Sequence, residues 1–269
     1  MDNNTPKHLL VFGAGYTAHH VAEAAINNGW SVSISSRTPE EHSHDHISYF
    51  RFGDDLPPHV GAVLSTVPPR DGQDPVLAAY HDQLPTDAAW VGYFSSTGVY
   101  GDTQGEPVTE ESPLLGASPR AQARIAAEKA WQNLNMPVHI FRLSGIYGPG
   151  RNMLERLKDG RVQNLEQSDR PVNRIHAADI AQAVMLSLEN PAGGATIYNL
   201  ADDLPAPTRD VITYAAKLLG KPTPKPADKG ASHLMDGSRV VVNEKAKKEL
   251  GLALRFPTFR DGLNDIIDS

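Results

Sequence analysis

The stretch His8-Leu9-Leu10-Val11-Phe12-Gly13-Ala14-Gly15-Tyr16-Thr17-Ala18 decides the fold. Its first five residues form a short apolar run, the pattern of a buried strand. Val21, Ala22, Ala25 and Ile26 then recur at helical spacing, and the helix is expected to end near Asn28-Gly29. Trp30 to Ser35 alternates and is β-branched, which predicts a second strand. Strand, glycine loop, helix and strand make a βαβ unit, and such units build parallel sheets. The loop itself reads G-x-G-x-x-A. Gly13 permits the sharp turn out of the strand, and Gly15 lets a pyrophosphate approach the backbone. Ala18 keeps the helix close to the sheet, and the helix N-terminus faces the phosphates.

The alternation continues along the chain. Strands are expected at 47–52, 62–66, 90–95, 138–143 and 196–200, and helices at 75–83, 119–134, 152–158, 180–189, 209–219 and 243–250. The link from Gly53 to Gly61 contains Pro57-Pro58 and is too short for a full helix. Asp179 and Thr208 stand where helix caps belong, and Lys221 to Asp228, with three prolines, reads as a surface loop. The C-terminal portion is too small to stand alone, which predicts a lobe resting on the sheet.

Composition narrows the function. The chain has 269 residues, a formal net charge of −7 and no cysteine. That excludes disulfides, thiol nucleophiles and cysteine-ligated metals. No basic block suggests nucleic acid. No apolar run reaches about 18 residues, so no membrane span is expected. Met1 to Pro6 is polar and lacks the apolar core of a signal peptide, so a cytoplasmic protein is expected. His42, His44 and His46 form an H-x-H-x-H run, but among Glu40, Glu41 and Asp45 it reads as a solvated loop, and no metal site is expected.

The end of the second strand selects the dinucleotide. Ser35-Ser36-Arg37-Thr38 offers no carboxylate before Glu40, where an NAD site would place one for the ribose hydroxyls. Arg37 can pair with a 2′-phosphate, which favours NADP(H), with NAD as the alternative; Arg37 can also be a solvated loop residue. Asp54 can accept from the adenine amine or simply shape a turn. Tyr16 and Thr17 in the loop, Thr66, Val67 and Pro68 after the fourth strand, and Ser95 after the fifth complete the expected cofactor contacts.

Four later stretches add up: Ser95-Ser96-Thr97-Gly98-Val99-Tyr100-Gly101, Arg142-Leu143-Ser144-Gly145-Ile146-Tyr147-Gly148-Pro149-Gly150, Arg174-Ile175-His176-Ala177-Ala178-Asp179, and Tyr198-Asn199-Leu200-Ala201. With the glycine loop, their order resembles the extended short-chain dehydrogenase/reductase family, the NAD(P)-dependent epimerase/dehydratase group. The resemblance covers nearly the whole chain. It implies an α/β fold, a Rossmann doubly wound parallel sheet over residues 1–150. A small C-terminal α/β substrate lobe over 151–269 is interleaved with returning elements of that sheet, and the site lies in the cleft between them. It leaves a monomer or a homodimer open.

The resemblance also implies catalysis by a Ser/Thr, a Tyr and a Lys in a Y-x-x-x-K arrangement. Ser96 matches the Ser/Thr, and Lys129 matches the lysine, which also holds ribose. The tyrosine position, four before Lys129, is Ile125, and the helix from Ser118 to Leu134 contains no tyrosine. Isoleucine cannot transfer a proton, so the sequence looks like an atypical branch that has lost the tyrosine. Tyr147 is the first candidate for a substitute acid, or it packs the loop. Thr97, Tyr100, Tyr147, Arg174 and His176 are expected near a small-molecule substrate, although His176 can also serve the hinge between lobe and sheet. Nucleotide-sugar enzymes of the family place an arginine four residues before that histidine; here it is Val172. Two functions compete: an NADP-dependent oxidoreductase or epimerase-like enzyme, and a non-catalytic NAD(P)(H)-binding sensor or interaction protein.

Overall fold

A computed structural model describes residues 7–162, 164–165, 170–191, 194–226 and 237–268. Seven strands form its central sheet: β1 (His8–Phe12), β2 (Ser31–Ser36), β3 (Ile47–Arg51), β4 (Ala62–Ser65), β5 (Trp90–Ser96), β6 (Val138–Leu143) and β7 (Thr196–Leu200). All pair in parallel, in the order β7-β6-β5-β4-β1-β2-β3. This is the doubly wound order, reversing beside β1. Register brings the strand ends to one edge: Phe12 stands opposite Ser35 and Ser65, and Ser96 opposite Leu143. The loops after these strands therefore meet, although they are far apart in sequence.

Helices cover both faces. On one, α1 (Tyr16–Asn27) buries Ala18, Val21, Ala22 and Ala25, a stripe at helical spacing. It packs with α5 (Ala177–Glu189) and α7 (Glu244–Leu250). On the other face lie α2 (Pro75–Tyr80) and α3 (Pro119–Gln132), burying Val76, Tyr80, Ala127 and Trp131. The Asp74 carboxylate joins these two helices. It caps α2 through the Val76 and Leu77 amides and accepts the Trp131 indole N–H at 3.0 Å.

Beyond β6 the chain alternates between sheet and lobe. Helices α4 (Met153–Lys158), α6 (Thr208–Leu218) and α8 (Phe259–Asp268) share a separate core of Leu154, Leu157, Ile212, Phe259 and Leu263. Short parallel pairings tie this part back: Gly145–Tyr147 with Arg174–His176, and Pro107–Val108 with Val240–Val241. Among the described residues no helix is long and apolar enough to cross a membrane.

Three local expectations are corrected. Helix α5 begins at Ala177, and its cap is His176, whose Nδ1 accepts from the Ala178 amide at 3.1 Å. Asp179 lies inside the helix, where its carboxylate accepts from the Arg255 and Phe256 amides at 2.7 and 3.2 Å. Thr208 is the first residue of α6 and does not cap it. Helix α8 was not expected from the pattern, and within 221–228 the pair Lys225–Pro226 joins a short strand pairing with Asn164–Leu165. Residues 227 and 228, and Met1 to Pro6, lie outside the described residues.

Candidate functional site

The glycine loop is built as its sequence dictates. Gly13 has φ +97°, a left-handed conformation, and a Cβ there would lie 2.8 Å from Thr66 Oγ1. Its amide donates to Ser35, and Thr66 Oγ1 donates to the Phe12 carbonyl at 2.9 Å. Gly15 is the N-cap of α1 and faces open space: a Cβ would meet nothing within 4 Å. Helices α2, α3, α4 and α5 each have a side-chain cap. Helix α1 has none, and no acidic residue in its first turn. Its first amides and dipole are thus left for an anion.

A cavity of about 550 Å³ opens from this point across the sheet edge. Thr17 and Thr66 line it at the α1 end, followed by Phe94 to Val99 at the end of β5 and beyond, and Leu143 to Ile146 at the end of β6 and beyond. The lobe contributes Pro171, Val172 and Asn173, with Gly237, Arg239 and Val241 beside them. Ser96 Oγ accepts from the Gly98 amide at 3.2 Å, which leaves its own O–H to donate into the cavity. Ser144 is only 6% exposed and lines the cavity, and its hydroxyl has no partner among the described residues.

The structure brings Thr17, Thr66, Ser95, Ser96 and Thr97 to this cavity. The Ser95 hydroxyl is already engaged with Glu128 Oε1, at 2.5 Å. Glu128 in turn pairs with Arg142 at 2.8 Å, and Arg142 also reaches Tyr100. Tyr16 and Ala18 sit beneath the loop. Ala18 is buried in the core, and the Tyr16 hydroxyl is wedged under Gly148, where burial pushes its pKa up to about 12. Val67 packs on Gly13, and Pro68 follows it.

Other expected residues lie elsewhere. The Tyr100 hydroxyl is buried between Asn199 and Arg142, at 2.7 and 2.9 Å, and is no substrate contact in this geometry. Tyr147 is 7% exposed, under α8 with Gly262 against its ring, and donates to the Thr258 carbonyl. Burial and nearby carboxylates raise its pKa well above the ordinary tyrosine range, so it is a poor acid and outside the cavity. His176 is 3% exposed, packed between Tyr147 and Phe256, and burial lowers its pKa to about 4. Arg174 is tied to the Val172 and Ala206 carbonyls. Arg37 is exposed at the end of β2, and the Arg51 guanidinium holds its carbonyl while pairing with Glu40. Asp54 is exposed, and its carbonyl accepts from Tyr80. His42 bonds Ser36 and stacks on Tyr49, and among the described residues no cluster suits a metal ion.

Helix α3 corrects the placement of Lys129. It is exposed and does not reach the cavity, and Ile125 is buried against Val99, Tyr100 and Val108. The pair with four-residue spacing that α3 turns to the cavity is Arg120 and Arg124. Sequence reasoning missed both, with Ser144, Arg151 and Arg239. The signal was available in part: Ala127 and Trp131 fix the buried face of α3, and from it the phase of Arg124 follows.

Comparison with known proteins bears on the family and the fold. The NAD dependent epimerase/dehydratase family matches residues 71–201. A conserved protein of unknown function from Silicibacter pomeroyi is 37% identical, with a TM-score of 0.89 over 97% of this chain and 98% of that one. Protein YeeZ of Escherichia coli (strain K12) is 29% identical, over 93% of this chain and 97% of its own length. MoeE5, solved in complex with UDP-glucuronic acid and NAD, shares the fold at TM-score 0.78 and 22% identity, covering 97% of this chain and 98% of its own. The chain belongs to the NAD-dependent epimerase/dehydratase family.

Proposed function

We propose that the chain is an NADP(H)-dependent oxidoreductase or epimerase/dehydratase-like enzyme of an atypical branch, acting on a small molecule in the cavity. Residues 1–150 would carry the dinucleotide and 151–269 the substrate lobe. The observation that carries this reading is the continuity of the cavity, from the uncapped start of α1 through Thr17 and Thr66 to Ser96. The residues present fit a dinucleotide: open space above Gly15, free first-turn amides, and the unpartnered Ser144 hydroxyl farther along.

When bound, the cofactor supplies a hydride acceptor or donor. The chain's own residues do the rest. Gly13 and Gly15 let the pyrophosphate approach the α1 amides. Arg37, exposed and without a carboxylate partner among the described residues, holds the 2′-phosphate. Ser96 donates a hydrogen bond to a substrate oxygen while keeping its proton, and the walls of Phe94, Val99 and Leu143 exclude water.

A second reading, a non-catalytic NAD(P)(H) sensor, is favoured by one observation. The described cavity lining holds no Tyr, Lys, His, Asp or Glu, so hydroxyls are its only neutral proton donors on side chains other than Asn173. The experiment that separates cofactor choice is titration of NADP(H) and NAD(H) against wild type and Arg37→Ala. NADP(H) should bind at least tenfold more tightly to wild type, and Arg37→Ala should erase the difference; equal affinities in wild type overturn the NADP assignment. Loss of NADPH absorbance with candidate carbonyl substrates then tells enzyme from sensor.

A further inference from the structure

We propose that the α3 side of the cavity recognises an anion, with Arg120 and Arg124 holding a carboxylate or phosphate group of the small-molecule substrate. The inference rests on the functional reading above for its second occupant and adds that occupant's chemical class.

The charge distribution is the first argument. The chain carries a formal net charge of −7, yet the described cavity lining contains no Asp or Glu and four arginines: Arg120, Arg124, Arg151 and Arg239. Walls of one sign in a recessed site concentrate the field on a ligand of the opposite sign.

Arg124 is the second. It is 9% exposed, and its guanidinium donates to two neutral oxygens, the Tyr93 hydroxyl at 3.1 Å and the Phe94 carbonyl. Among the described residues it has no carboxylate at ion-pair distance. Glu128 on its own helix is committed to Arg142, and Asp74, whose charge Arg124 feels only beyond ion-pair distance, is hydrogen-bonded to Trp131 and the α2 amides. Buried charges are ordinarily paired, because desolvation without a counter-charge is costly. Here the side not covered by protein is the cavity. Arg120 stands one turn earlier on the same face, exposed and also without a carboxylate partner among the described residues. Like charges at this spacing repel in a bare helix, and a bridging anion turns that cost into a two-pronged grip.

The other arginines fix the geometry. Arg151 lies over the Tyr16 ring, 5.7 Å away at the α1 end, and so belongs with the cofactor phosphates. Arg239 is held by the Thr97 and Gly237 carbonyls at 2.7 and 3.3 Å and borders the same space from the lobe side. The anion subsite is therefore on the far side of the cavity from the pyrophosphate position. A cavity of about 550 Å³ that also receives the nicotinamide end suits a small acid.

The test uses the full chain saturated with NADP⁺, so that the α1 phosphate position is filled. Malonate and inorganic phosphate are titrated separately by calorimetry. At least one should bind, and the stronger of the two tells carboxylate from phosphate. Arg120→Ala should weaken it at least tenfold, and Arg124→Lys should weaken it while circular dichroism shows the fold intact. Arg209→Ala, a charge removal on exposed α6, should leave the affinity unchanged. The proposal is overturned if neither anion binds, if Arg120→Ala binds equally well, or if the anion only displaces NADP⁺. If wild type takes up no cofactor, the functional reading fails by itself; the same titrations on the chain alone still decide the arginine claim.

Discussion

Two loops leave the same edge of the sheet, Ser95–Tyr100 after β5 and Gly145–Gly150 after β6. Both carry hydroxyl groups of the kind proton transfer uses, and the structure treats them in opposite ways. After β5, Ser96 keeps its hydroxyl proton free and lines the cavity. After β6, Tyr147 is sealed by Gly262, His176 and the Thr258 carbonyl. The more acidic-looking side chain is thus the structural one. A tyrosine driven upward in pKa by burial holds its proton tightly, whereas the Ser96 hydroxyl at the cavity wall can donate a hydrogen bond to a well-placed oxygen without losing its proton. What separates them is access and partners rather than residue type.

That contrast can be broken by experiment. Tyr147→Ala should show the largest effect, a loss of about 4 kcal/mol in unfolding free energy, because the ring leaves a cavity beneath α8. Denaturant unfolding checks it; a loss under about 1 kcal/mol would mean that the ring is not packed as described.

The His176 side of the same cluster should appear in the pH dependence. Burial lowers its pKa from 6.5 to about 4. The unfolded chain therefore binds a proton below pH 6.5 that the folded chain refuses. Stability from this group is intact above pH 6.5 and falls as pH drops toward 4, by about 3 kcal/mol at most. Asp179 and Asp202, pushed up by burial to about 6 and about 7, act in the reverse direction. The measurement is therefore the difference between wild type and His176→Phe at pH 7.5 and pH 4.5. The variant should lose less stability on acidification, and identical losses would remove the assignment.

On the other loop, Ser96→Ala should reduce kcat by about a hundredfold on an identified substrate while shifting stability by less than about 1 kcal/mol. Tyr147→Phe should do the converse: turnover unchanged, and about 1 kcal/mol lost with the bond to Thr258. The smallest effect belongs to Lys129→Ala, within about 0.5 kcal/mol in stability and without change in cofactor affinity. A cofactor defect there would restore Lys129 to the site and break the phase assigned to α3.

The sheet and most helices were legible because their signals are local. Apolar runs ending in glycine or serine mark β1, β4 and β5, and Ala18, Val21, Ala22 and Ala25 mark the inner stripe of α1. The glycine loop was equally legible, since steric demands at Gly13 and Gly15 leave little choice of residue. The far wall of the cavity was not. Lys129 drew attention because it is the lysine that follows the β5 loop in a helix, but side-chain direction depends on helical phase. That phase is set by Ala127 and Trp131 packing on β5 and β6, a tertiary fact. Arg239 was hidden for a different reason: its place depends on a parallel pairing of Val240–Val241 with Pro107–Val108, more than 130 residues away. Asp179 looked like a cap because it stands just before the expected helix start at Ile180; the helix begins at Ala177, and the partners Asp179 serves are the Arg255 and Phe256 amides.

That last bond makes the order of the chain matter for how the lobe is kept. The amides at Arg255 and Phe256 are clamped to Asp179, and the Phe256 ring lies 4.0 Å from the His176 ring. The segment leading into α8 is therefore tied to α5 and to the His176 ring that caps it. A protease cutting between Gly251 and Arg255 would free the length of chain that satisfies the buried Asp179 carboxylate and covers the His176 ring. Resistance to proteolysis at that one short stretch reads out whether the Asp179 bonds hold it in place.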